Sequence, residues 1–164
     1  MAKITDAALK AVIQQLAHMD LKSKESVCDD LFREQPNLLA SVLVLSRMSE
    51  SPQHVEVVLE ILITAHLALN EAGVRIATIS EDEQDRALQR LTASIKFTEG
   101  LAAGLVEQSI KQTVGFREEP WFQAYVFERL QSAAILESAD EDSKYLILSA
   151  LNLVGCIANA KETN

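Results

Sequence analysis

Turn-forming residues are scarce in this chain, with five Gly and three Pro among 164 residues. That is too few for the closely spaced turns of a β-sandwich or barrel. Cysteine is nearly absent too, and Cys28 and Cys156 belong to no paired motif. Each sits among apolar or helix-forming neighbours, where a free thiol behaves as a small hydrophobe. Nowhere do about 18 uncharged apolar residues follow one another, so no membrane-spanning helix is expected. Met1 to Asp6 leads straight into an amphipathic pattern, without the basic start and apolar run of a secretory signal. A reducing, cytoplasmic setting is the resulting expectation.

Positive charge is in short supply. Lys and Arg number 15 against 24 Asp and Glu, a net charge of −9. Residues 1–48 hold six of each sign, whereas residues 49–164 hold nine basic and eighteen acidic residues. Such a surface repels phosphate backbones and anionic lipid, which sets nucleic acid and membranes aside as partners. A basic protein partner would be attracted, although acidic balance also serves plain solubility.

What is present favours helix. The chain is 48% hydrophobic and 24% charged, which excludes general disorder, and Ala and Leu lead among the apolar residues. Its length suits one all-α domain, 1–164, burying roughly 70% of the surface that the unfolded chain exposes. No internal repeat of solenoid period is visible.

The punctuation predicts seven or eight helices. Thr5 or Asp6 caps a first helix to about Asp20, with Leu9, Val12, Ile13 and Leu16 as its apolar stripe. Ser23 or Ser26 starts a second, with Val27, Leu31 and Phe32 inward, and Pro36 ends it. A third, 37–48, is apolar almost all round. Ser51-Pro52 opens a fourth to about residue 72, and Gly73 terminates it. The segment 74–80, VRIATIS, resembles a strand without a partner and reads as a buried linker. Ser80 and Glu83 form a capping box for a fifth helix, whose first-turn acids suit the helix dipole. This helix breaks near Gly100, and a sixth runs to about Val114 with Gly104 as a close-approach position. Pro120 opens a seventh helix to about Glu137, and Asp140 caps an eighth, 141–160. The stretches 37–48, 52–72 and 141–160 want burial on most sides and are expected at the centre.

Chemistry is harder to find. The fourth helix carries His54, Glu56, Glu60 and His66, all able to bind metals or move protons. At about 100° per residue, only Glu56 and Glu60 stand close enough on one face to converge. They read as a solvated edge. His66 projects to the apolar side, where a neutral, hydrogen-bonded core histidine is the common outcome. The Glu-x-x-His pairs of di-iron bundles are absent, because Gln15, Ser51 and Ile63 precede the three histidines by three positions. His-Glu-x-x-His is absent as well, and the run from Asp140 fails as a calcium loop at Tyr145 and Leu151. No glycine motif for nucleotides or hydrolases occurs. No metal and no cofactor is expected.

The local feature that stands out is aromatic. Phe116, Trp121, Phe122, Tyr125 and Phe127 crowd into twelve residues. One helix face cannot bury them all, and aromatic residues of this kind are favoured at interfaces. Three functional expectations follow. The first is a non-catalytic interaction or regulatory module, homodimeric, using Phe116, Trp121, Tyr125 and Phe127. The second is a binder of a small apolar ligand, in a pocket lined by Leu62, His66, Leu69 and Leu148. The third is an enzyme whose residues meet only in three dimensions, with His66 or Cys28 as candidates.

Overall fold

The computed structural model describes residues 1–96, 117–136 and 141–163. They form an all-α array: α1 (Asp6–Ala17), α2 (Leu21–Glu34), α3 (Pro36–Leu43), α4 (Leu45–Met48), α5 (Pro52–Glu71), α6 (Glu81–Lys96), α7 (Pro120–Ser132) and α8 (Glu141–Asn159). Two-residue strands, β1 (Arg75–Ile76) and β2 (Glu162–Thr163), complete it. The expected break at Gly100, the sixth helix with Gly104, the aromatic Phe116 and the Asp140 cap lie outside the described residues.

Helix α5 is the hub, packing against α1, α2, α3, α4, α7 and α8. A hub needs apolar residues on several faces, and α5 buries Val55, Val58, the run Ile61–His66, Ala68 and Leu69. Helix α8 is the second central element, lying against α3, α5, α6 and α7 and burying Leu146, Ala150, Leu151, Leu153 and Val154. The stretch 37–48 departs from expectation. It divides at Val44 into α3 and α4, and only Leu38, Leu39, Val42 and Leu45 turn inward. Leu43, Val44 and Met48 stay exposed, because helices packed along one flank of the array cover one side only.

Two further stripes are narrower than predicted. In α1 the buried set is Ala8, Leu9, Val12 and Leu16, and Ile13 faces outward. In α2 Val27 and Leu31 go inward, while Phe32, about 100° further round, is 69% exposed. The boundary between these helices also moves. Asp20 does not end α1 but caps α2, its carboxylate accepting the Ser23 amide at 2.8 Å. The Ser23 side chain first, and then its amide, hold the Asp20 carboxyl below its usual range. At α5 Ser51 occupies the cap position without using its side chain, and Pro52 supplies the first turn.

Helix ends follow one device twice. Gly73 (φ 70°) terminates α5, with its amide bonded to the Asn70 carbonyl and the Val74 amide to that of Leu69. Ala134 (φ 59°) terminates α7 the same way, with Ala134 to Gln131 and Ile135 to Leu130. Both are Schellman ends. The second uses a residue with a Cβ, which ends α7 at Ser132, short of Glu137. The capping box of α6 forms as expected, through the Ser80 amide to Glu83 Oε2 at 2.9 Å and the Glu83 amide to Ser80 Oγ at 3.1 Å.

The linker 74–80 has a partner after all, since β1 pairs antiparallel with β2, Arg75 opposite Thr163 and Ile76 opposite Glu162. Beyond β1 the linker is held by a side chain. Gln35 Nε2 donates to the Ala77 carbonyl and Gln35 Oε1 accepts from the Ile79 amide, both at 2.9 Å. One buried carboxamide thus does what a neighbouring strand would do. A second long-range clasp comes from Glu119, 1% exposed, which accepts the amides of Lys3 and Ile4 at 2.8 and 3.1 Å.

Candidate functional site

Helix α5 presents its chemistry on two sides, and each side meets a different part of α2. The first meeting, at the C-terminal end of α2, leaves a cavity of about 290 Å³. Its apolar lining includes Leu31, Leu38, Leu62 and Leu69, and its polar lining includes Glu34, Gln35, His66, Asn70 and Arg75. Leu62, His66 and Leu69 are therefore neighbours on one wall. Leu148 lies on α8, half-buried, and is not part of this lining. Residues of β1 and β2 close the far side, through Arg75, Ile76 and Thr163.

His66 is 7% exposed and has two polar neighbours. Asn70 Nδ2 lies 3.3 Å from Nε2, one helical turn on. With the amide as donor, the neutral ring carries its proton on Nδ1, facing Glu34 Oε2 at 3.9 Å. Burial lowers the histidine's pKa, against the raising influence of Glu34 and Asp30. His66 is thus a neutral imidazole with its ring edge at the cavity wall. Neither His18 nor His54 lines this cavity.

The second meeting lies at the N-terminal end of α2. There α2, α5 and the last turn of α1 enclose a groove of about 570 Å³. Its floor is Leu16, Leu59 and Ile63, with Leu21 and Cys28 on the α2 side. Around them stand Glu25, Asp29, Glu56 and Glu60, with Lys24 as the one lysine in the lining. Leu21 is 73% exposed although nothing in its helix requires an apolar residue there. Leu21, Glu25, Cys28 and Phe32 repeat at i, i+4, i+7 and i+11, a second stripe on α2 beside the buried Val27 and Leu31. That spacing was readable in the sequence, and placing Phe32 inward concealed it.

The aromatic segment divides on folding. Phe122 is fully buried, stacking at 6.4 Å on Tyr125. Tyr125, 8% exposed, is taken into the seam between α5 and α7, where its hydroxyl lies 3.0 Å from Thr64 Oγ1. Burial raises the Tyr125 pKa, in part against that hydrogen bond. Phe127 packs half-buried against the core, and Trp121 remains exposed. Among the described members of the set, Trp121 alone offers a free aromatic surface.

The thiols are poor nucleophiles. Burial pushes Cys28 up, and the carboxylates of Asp29 and Glu25 add to it. Burial pushes Cys156 up to about 12. It lies at the back of a smaller depression, about 250 Å³, beside Arg86 and Arg90. Both stay protonated at neutral pH. Among the described residues no three His, Cys, Asp or Glu side chains are grouped to hold a metal ion, and no helix is long and apolar enough to cross a membrane. Compared with protein-family models, with curated proteins and with solved structures, the chain matches none.

Proposed function

We propose that the protein is a non-catalytic interaction module whose working surface is the groove between α1, α2 and α5. One observation carries this reading: exposed Leu21 and half-buried Leu59 stand over a buried apolar floor and are ringed by carboxylates on a scaffold of packed helices. Apolar side chains in a concave surface gain by being covered, and a polar rim sets orientation. Exposed Leu21 and Phe32 extend the same apolar stripe along α2.

Homodimerisation fits the same role on another face. The apolar needs of α5 and α8 are met largely within one chain, so a second copy would cover the exposed ridge of Leu43, Val44 and Met48. Two acidic grooves set against each other would repel. Affinity purification with quantitative comparison tests the groove. Partners held by the native chain are expected to be lost by a Leu21→Asp, Phe32→Ser double variant, and an unchanged set of partners would remove the groove from the reading. Light scattering at two concentrations tests the dimer, and a mass fixed at 18.1 kDa would count against it.

A second reading has an observation of its own. Leu62, His66 and Leu69 line one cavity, close to the lower size, about 300 Å³, of pockets that hold small ligands. A small molecule with an apolar body and one polar end would suit this lining. Native mass spectrometry of the purified protein would show a retained adduct, and a bare chain mass would weaken the idea.

A further inference from the structure

Resting on the interaction reading, we infer that the occupant of the groove is a basic amphipathic helix of a partner protein, lying along α2 and α5 for about two turns. Four features of the groove combine to select it.

The first is the nature of the walls. All are helices, and beyond the first amides of α2 beside Leu21 their backbone groups are spent within them. A strand or an extended peptide would need a free backbone edge to pair with, and this groove offers none. A helix brings its own backbone already satisfied and needs only side-chain contacts.

The second is length. The groove residues of α2 run from Leu21 to Asp29, and those of α5 from Glu56 to Ile63. At 1.5 Å per residue each wall is about 10–12 Å long, or some two helical turns. Apolar anchors at i, i+3 or i+4 and i+7 of an incoming helix span the same distance.

The third is charge. Glu25, Asp29, Glu56 and Glu60 stand against Lys24, and among the described residues Glu60 alone of the four has a basic partner nearby, Arg129 at 3.3 Å. This rim repels acidic segments, nucleic acid and the same groove of a second copy. Lys and Arg on the flanks of an incoming helix would lay their methylene stems over Leu21 and Leu59 and place their charges at the carboxylates.

The fourth is that part of the surface is spare. Leu21 and Phe32 are exposed, so their substitution leaves the core intact, and of the stripe they share only Cys28 packs against the core beside Val27 and Leu31.

The test is a display selection with a library of 16-residue helical peptides. Apolar residues are fixed at i, i+3, i+4 and i+7, and the flanking positions vary freely among Lys, Glu, Gln and Ser. The native protein is the bait, and a Leu21→Asp, Glu25→Lys, Asp29→Lys variant is used for counter-selection. Enriched peptides are expected to carry Lys on the flanks. Their affinity, by fluorescence anisotropy, is expected to fall about tenfold or more with Glu25→Lys, Asp29→Lys and Glu56→Lys together. Reversal of exposed acids outside the groove lining, Glu71, Asp85 and Glu118, should change it by less than about twofold, and added salt should weaken binding. Enrichment of neutral or acidic flanks would overturn the basic helix while leaving the groove as a docking surface. Equal loss in the two sets of reversals would overturn it as well, since the attraction would then belong to net charge. No enrichment over the variant would overturn both the occupant and the groove.

Discussion

At the C-terminal end of α2 the surface dips into the His66 cavity, walled by Leu31, Leu38 and Leu62 of the core and bordered by β1 and β2. At the N-terminal end the same two helices part around Leu21 and Leu59, and charged residues ring the opening. The apolar wall of the cavity is made of residues the fold cannot spare, as is the groove's floor of Leu16 and Ile63. On its α2 side the groove also carries Leu21, whose burial the fold does not use. A side chain that is both apolar and unneeded for packing is informative about function, whereas one that lines a cavity and also holds the core is not.

Substitution should separate the two regions. Leu62→Ala, at a position 1% exposed, is expected to cost about 2–5 kcal/mol in urea unfolding. Leu21→Ala is expected to stay within about 0.5 kcal/mol of the native chain. A comparable loss at Leu21 would break the comparison. Gln35→Ala comes next. It strips the Ala77 carbonyl and the Ile79 amide of their partner at the cavity wall, for about 1–3 kcal/mol, and should raise hydrogen exchange at Ile79.

The helix ends give a smaller, paired effect. Gly73→Ala, beside the cavity, meets no atom within 4 Å, so its cost is conformational, about 1 kcal/mol. Ala134→Gly, at a left-handed position far from either depression in sequence, should stabilise by a similar amount. Thermal melts of the two variants should move in opposite directions.

The least change concerns pH. Burial depresses the His66 pKa in the folded protein, so below the ordinary value near 6.5 the unfolded chain takes up the proton first. Stability from this residue is whole above that value. It is lost as pH falls towards the folded pKa, where Glu34 and Asp30 limit the depression. His66→Gln should flatten the stability profile below about pH 6.5, and an unchanged profile would remove His66 as its source.

Much of the architecture was legible because it rests on local rules. Helical spacing, the proline at the start of α5, Gly73 at its end and the Ser80–Glu83 box are each decided within a few residues. The core role of α5 and α8 was readable from apolar residues on several faces. The errors arose where distant residues decide. Tyr125 is inward because Thr64 waits on another helix. The strand-like linker pairs because Glu162 and Thr163 return to it, and the flank position of 37–48 follows from what else fills the centre. Asp20 was a local miss, since an acid at a helix boundary reads equally as an end or a start. Leu62, His66 and Leu69 share a wall as positions i, i+4 and i+7 of α5 must, while Leu148 belongs to another helix whose placement no periodicity specifies.

The clasp between Glu119 and the amides of Lys3 and Ile4 has a consequence for the order of assembly on the ribosome. Helix α1 can dock as soon as α5 has emerged, since the two are in direct contact. The residues just ahead of α1 must still wait, because their carboxylate is translated far later. At about 5–20 residues per second, several seconds pass with the segment ahead of α1 unfastened. Residues made well before α5 are thus secured well after it.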